Sequence, residues 1–253
     1  MFEGARLKIE RGNQHIVDLR STINAFLQRH PYTLSVRHNP NGNEITIEMN
    51  LREQAPSAIP LILGDSIHNL RTALDHATWE LIGLDGGTQD RYTTFPTGAE
   101  LPGYKGTCNG IKTPRSDTKE FLASFEAYKG GKGEILYALH CLDVEDKHII
   151  LTPTVNVSSI RRMTVIRPDG IVALTVTNQM CGMDKIGRSR IMTLGIVPGS
   201  TIEFNPDTDS TVDIFFGDIE FFKFQPIIPT IVQISNAVSH AIGQFDNFVK
   251  TRS

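Results

Sequence analysis

Cysteine is scarce in this chain: three in 253 residues, at Cys108, Cys141 and Cys181, with no CxxC pair. That excludes a zinc ribbon and a disulfide framework, and a reducing cytoplasm is the expected compartment. No apolar run approaches the roughly 20 residues that span a bilayer, so no membrane partner is expected. The opening "MFEGARLKIERGNQ" lacks the apolar centre of a signal peptide. No excess of positive charge is present either; the formal net charge is −3, which supplies no global field for nucleic acid. Phosphate loops, GxGxxG turns and GxSxG elbows are absent, and "GGKGE" at 130–134 lacks the spacing of a phosphate loop. Neither cofactor nor metal has a recognisable motif.

What remains is an ordinary globular balance, 40% hydrophobic and 21% charged. Residues 5–30 read as a helix, with Leu7, Ile16, Leu19, Ile23, Phe26 and Leu27 recurring at helical spacing. Pro31 closes it. "YTLSVRHNPNGNEITIEMNL" alternates as a β-hairpin turning at Asn39–Asn43. A long helix runs from about Ile59 to Leu84 and stops at "DGG". Residues 85–117, rich in Gly, Pro and Thr, read as an irregular connection. "SDTKEFLASFEAY" opens a helix capped by Ser116 or Asp117; "KGGKG" breaks it and 134–150 resume helix.

From Leu151 to Phe224 the pattern is β: a hairpin about Pro168-Asp169-Gly170, then "SRIMTLGIVPGSTIEF" and "TVDIFFGDIEFFKF", the latter turning at Gly217-Asp218. A last helix to about Lys250 carries Ile231, Ile234, Val238, Ile242, Phe245 and Val249 on one stripe. The expected fold is α+β, one domain over 1–253. Its helical part, about 1–30, 59–150 and 226–250, forms a bundle; its β part, about 31–50 and 151–224, forms an antiparallel sheet or small barrel.

The chemistry concentrates in "GDSIHNLRTALDHATWEL", Gly64–Leu81. At about 100° per residue, Leu63, Ile67, Leu70, Leu74, Ala77 and Leu81 make a core stripe. Asp65, Asn69, Thr72 and His76 fall on the far side, flanked by His68, Asp75 and Trp79, with Arg71 further round. A solvated face would carry Lys and Glu, which favour helix; this one has neither before Glu80. Such a face meets something specific: a helix, a ligand or a metal. A second cluster, "ALHCLDVEDKHIIL", crowds His140, Asp143, Glu145, Asp146, Lys147 and His148 beside the apolar Ile135, Leu139, Leu142, Ile149 and Ile150. Arg71–Asp75 and Asp143–Lys147 are i, i+4 pairs. Two such helices in a bundle can face each other across a polar seam.

Together these stretches resemble a bacterial protein family marked by a GDxxHNLRxALDH helix, here Gly64 to His76, and a later DKH segment, here Asp146-Lys147-His148. That resemblance implies no particular activity. Arg71-x4-His76 also resembles the Arg-x4–6-His motif of the HEPN superfamily of helical ribonucleases and nucleotide-binding proteins. There the motif lies at a homodimer interface and cleaves RNA without metal. The resemblance implies His76 as general acid or base on a 2′-hydroxyl and Arg71 on the phosphorane charge. Asp65, His68, Asn69, Asp75, Asp146, Lys147 and His148 would be binding residues, and RNA or a nucleotide the partner. On an ideal helix Arg71 and His76 stand about 140° apart, so a shared substrate must span that angle.

Two other readings compete. The polar helix is structural and the chain is an interaction module, with Arg161, Arg162 and Arg167 of "RRMTVIR" its one basic stretch. Or Asp65, His68, His76, Asp143, Asp146 and His148 supply ligands for a metal-binding bundle hydrolase.

Overall fold

The computed structural model describes residues 1–149, 151–180 and 190–252; Ile150, Cys181 and Ser189 lie outside them. Helices and antiparallel sheets occur together, so the class is α+β. The chain divides into two compact units: Met1–Arg20, Pro60–Leu151 and Ile228–Ser253 form one, Ser21–Ile59 and Thr152–Ile227 the other.

The first unit is helical. It holds most of α1 (Glu3–Leu27), α2 (Ala58–Leu84) and α7 (Ile227–Thr251), together with α3 (Leu101–Gly110), α4 (Ser116–Ala123) and α5 (Glu134–His148). The α2 stripe is buried as its spacing predicts: Leu63, Ile67, Leu70, Leu74, Ala77 and Leu81 are all inaccessible. Each of the larger side chains contributes about 1.5–3 kcal/mol of burial. Ile231, Ile234, Val238, Ile242 and Phe245 are buried on α7, while Val249 is only half-buried. Leu7 departs from the pattern and is exposed. Gly12 brings α1 close to α2, because a Cβ there would stand 3.1 Å from Leu70. The Ser66 hydroxyl uses that approach to donate to the Gly12 carbonyl at 3.1 Å. Phe121 stacks on Phe248 at 4.2 Å and meets Phe245 edge-on at 5.0 Å, which ties α4 to α7.

Part of the expected irregular stretch 85–117 is the helix α3. "LPGYKGTCNG" has poor intrinsic propensity, with three glycines and a proline in ten residues. Tertiary contacts compensate. Tyr104 is buried and donates its hydroxyl to the Leu122 carbonyl at 2.6 Å. The N-cap of α4 is Arg115, with no side-chain cap bond, instead of Ser116 or Asp117; Asp117 lies in the first turn, where a carboxylate meets the helix dipole favourably.

The second unit is built on strands. β1 (Tyr32–His38) and β2 (Glu44–Leu51) pair antiparallel from Tyr32↔Leu51 to His38↔Ile45. β5 (Arg190–Gly195) extends that hairpin on the β2 side. β3 (Thr154–Ile166) is the centre of the other sheet. It pairs with β4 (Val172–Met180), β6 (Thr201–Glu203) and β7 (Ser210–Phe215). The β3–β4 hairpin turns through Gly170 at φ +79°. "RIMTLGIVPGSTIE" therefore feeds both sheets, with β5 in one and β6 in the other. A four-residue helix, α6 (Pro206–Asp209), follows β6.

The stretch "TVDIFFGDIEFFKF" yields one strand, not two. After β7 the chain turns, and Phe216, Ile219 and Phe222 are buried without strand pairing. Ile45, Ile47 and Met49 of β2 join Val157, Ile160 and Met163 of β3 in one core cluster.

Candidate functional site

Helices α2 and α5 meet across the polar seam that their sequences suggest. Gly64 faces Asp146, His68 faces Asp143 and Arg71 faces His140. Numbers rise on one helix as they fall on the other, so the pair is antiparallel. At Gly64 a Cβ would collide with the Asp146 carboxylate. His68 Nδ1 lies 2.9 Å from Asp143 Oδ1, and Lys147 Nζ donates to Asp143 Oδ2 at 2.5 Å. The Asp143 side chain is 6% exposed, so two partners compensate its burial. Burial, then the charges of Asp143 and Asp65, push the Asp146 carboxyl above its ordinary range.

Arg71 is the centre of the seam and is 5% exposed. Its Nη1 donates to Asp75 Oδ1 at 2.6 Å, its Nη2 to the Phe95 carbonyl at 3.1 Å and its Nε to His140 Nδ1 at 3.4 Å. Asp75 Oδ1 also accepts the Phe95 N–H at 2.8 Å. The Arg71–Asp75 pair thus clamps the backbone of the 85–98 connection on both sides of Phe95. Accepting from Arg71 requires a neutral His140 with its proton on Nε2. Burial, then the Arg71 charge, lower His140 to about 4 against the opposing pull of Asp143. Burial raises Asp75 above its ordinary value, although Arg71 and the Phe95 N–H pull it down.

His76 lies elsewhere. It is exposed, packs over Gly4 and lines a cleft of about 630 Å³ with Asp75, Trp79, Glu80, Leu84, Gln89 and Thr93. Arg71 does not line it. Trp79, the chain's single tryptophan, is 42% exposed there. Gln89 Nε2 donates to the Trp79 carbonyl at 2.6 Å and Glu80 Oε1 accepts the Phe2 N–H at 2.8 Å. The lining carries two carboxylates and neither Lys nor Arg. It therefore suits a ligand that is cationic or rich in hydrogen-bond donors, with a flat face for the indole.

The other candidates scatter. Asn69 Nδ2 donates to the Asp65 carbonyl of its own helix at 2.8 Å and Oδ1 accepts from Lys8 at 3.4 Å. Asp65 and His148 are exposed. Among the described residues, no three His, Cys, Asp or Glu side chains come together to hold a metal, so the ligand set read from the sequence does not assemble. Cys108 is buried, and burial raises its thiol. In the basic stretch, Arg161 and Arg162 are exposed and Arg167 pairs with Asp169 at 3.2 Å. Glu80, Gln89 and Thr93 were not foreseen as site residues. Trp79 offered a signal as the only tryptophan beside the polar face; Gln89 and Thr93, on the connection, offered none.

No protein-family model, curated protein or solved structure matches the chain. No helix among the described residues is long and apolar enough to cross a membrane.

Proposed function

We propose that this chain binds a nucleobase-bearing ligand, a nucleoside or nucleotide, in the cleft beside His76. The observation that carries the reading is the half-exposed Trp79 flanked by Asp75, His76 and Glu80 in a cleft of about 630 Å³. The ring stacks on the indole, worth about 1–3 kcal/mol per base, and exocyclic amines donate to Asp75 and Glu80. A phosphate would point outwards, away from the two carboxylates.

Binding is favoured over cleavage. A ribonuclease would use His76 as general base and needs a guanidinium on the phosphate. Arg71 is 5% exposed, lies outside the His76 cleft and spends three of its five N–H donors on Asp75, the Phe95 carbonyl and His140.

Trp79 is the sole source of indole fluorescence, so titration reports on this cleft alone. Adenosine or cytidine should change its emission saturably, ribose 5-phosphate should not, and Glu80→Gln should weaken the nucleosides about tenfold. An unchanged emission with every nucleoside, or an equal response to ribose 5-phosphate, removes the proposal. RNA cleavage in EDTA that disappears in His76→Ala would replace binding with the ribonuclease reading.

The interaction-module reading keeps one specific support: Arg71 and Asp143 are both buried and bonded within the fold. It describes the seam, and the nucleobase reading describes the cleft.

A further inference from the structure

The second unit has a pocket of its own, about 440 Å³, lined by Arg162, Thr164, Glu203, Phe204, Asn205 and Asp209. Arg162 and Thr164 are two apart on β3 and so share a face of the sheet. Glu203 of β6 stands opposite Thr164 in register, which places it on that face too. Strand pairing fixes all three Cα positions, the rigidity a binding site needs.

Two of these groups are uncommitted. Thr164 is 6% exposed, and it lines the pocket. Arg162 and Glu203 form no ion pair, with each other or with another described residue. Asp209, by contrast, is occupied: its Oδ2 accepts the Asn205 N–H at 2.8 Å.

We propose that this pocket binds a small zwitterion, a free α-amino acid, with its carboxylate on Arg162 and its ammonium on Glu203. The planar guanidinium matches a carboxylate bidentately. The Thr164 hydroxyl completes the polar contacts, and Phe204 offers an apolar wall to the ligand's side chain. A polyanion is disfavoured, because Glu203 and Asp209 flank the one arginine. A simple cation is disfavoured by that arginine. The volume lies within the range of small-molecule sites. This pocket is independent of the Trp79 cleft.

The test is a ¹H–¹⁵N spectrum of the whole chain titrated in turn with glycine, L-serine and L-leucine. At least one should shift the amides of 162–164 and 203 saturably. The methyl ester and the N-acetyl form of that amino acid should each bind at least about tenfold more weakly, since each loses a charge-assisted contact. Arg162→Met and Glu203→Gln, both at exposed positions, should abolish the response while leaving the rest of the spectrum unchanged. The proposal is overturned if none of the three gives saturable shifts. It is equally overturned if the blocked derivatives bind as tightly as the free amino acid, or if the shifts survive both substitutions.

Discussion

Arg71 and His76 are five residues apart on one helix and live in different worlds. Arg71 is sealed, with its donors on Asp75, on the Phe95 carbonyl and on His140. His76 is exposed at a cleft, beside an indole and two carboxylates. Helical geometry sets them about 140° apart, so the Arg71 side of α2 meets α5 while the His76 side lines the cleft. Polar residues on a helix thus divide into those that hold the fold and those that are free to bind. Asp75 belongs to both, since its Oδ1 clamps Arg71 and the same side chain lines the cleft.

The hardest way to break this contrast is to truncate the sealed residue. Arg71→Ala leaves Asp75 and His140 without their cation and frees the Phe95 carbonyl. It should cost about 3–5 kcal/mol, read as a fall in Tm of roughly 6–20 °C for a chain of this size. A fall no larger than that of a surface substitution would mean that the seam does not hold the fold.

Acid should act on the same side. Unfolded His140 takes up a proton near its ordinary 6.5, whereas the folded residue does so only near 4. The unfolded state therefore binds more protons between these values, and stability present above about pH 6.5 is lost as pH falls towards 4. Asp75, raised on folding, runs in the opposite sense: its contribution is present below its unfolded value and is lost as pH rises through its folded one. With solvent screening of this partly buried residue allowed for, the His140 effect is on the order of 1–2 kcal/mol. Denaturant unfolding across this range should show it, and His140→Gln should flatten the profile.

The smallest effect on stability belongs to the open side. His76→Ala should change unfolding by no more than about 0.5 kcal/mol, while weakening the nucleoside response of Trp79. Equal damage to stability from Arg71→Ala and His76→Ala would erase the distinction between seam and cleft.

Much of this was legible in the sequence. The Leu63-to-Leu81 stripe and the hairpin from Tyr32 to Leu51 follow from periods of 3.6 and 2, which local sterics impose whatever surrounds them. The avoidance of Lys and Glu between Asp65 and Trp79 announced a specific contact, and α5 provides it. Other elements were illegible for physical reasons. Helix α3 contradicts its own glycine content and exists because Tyr104 is buried and bonded to Leu122. Phe222 looks like strand but is apolar because a turn buries it. Arg162, Thr164 and Glu203 converge only through the β3–β6 register, which no local pattern encodes.

By itself, then, the sequence determined the α+β class, the buried stripes of α2 and α7, and which residue types face away from them. Tertiary structure alone decided that Arg71 is sealed and His76 is exposed. The partners that occupy a guanidinium, a carbonyl at 95 and a ring at 140, are distant in sequence. Whether a polar group is sealed depends on what folds against it, and helical spacing fixes only the direction in which it points.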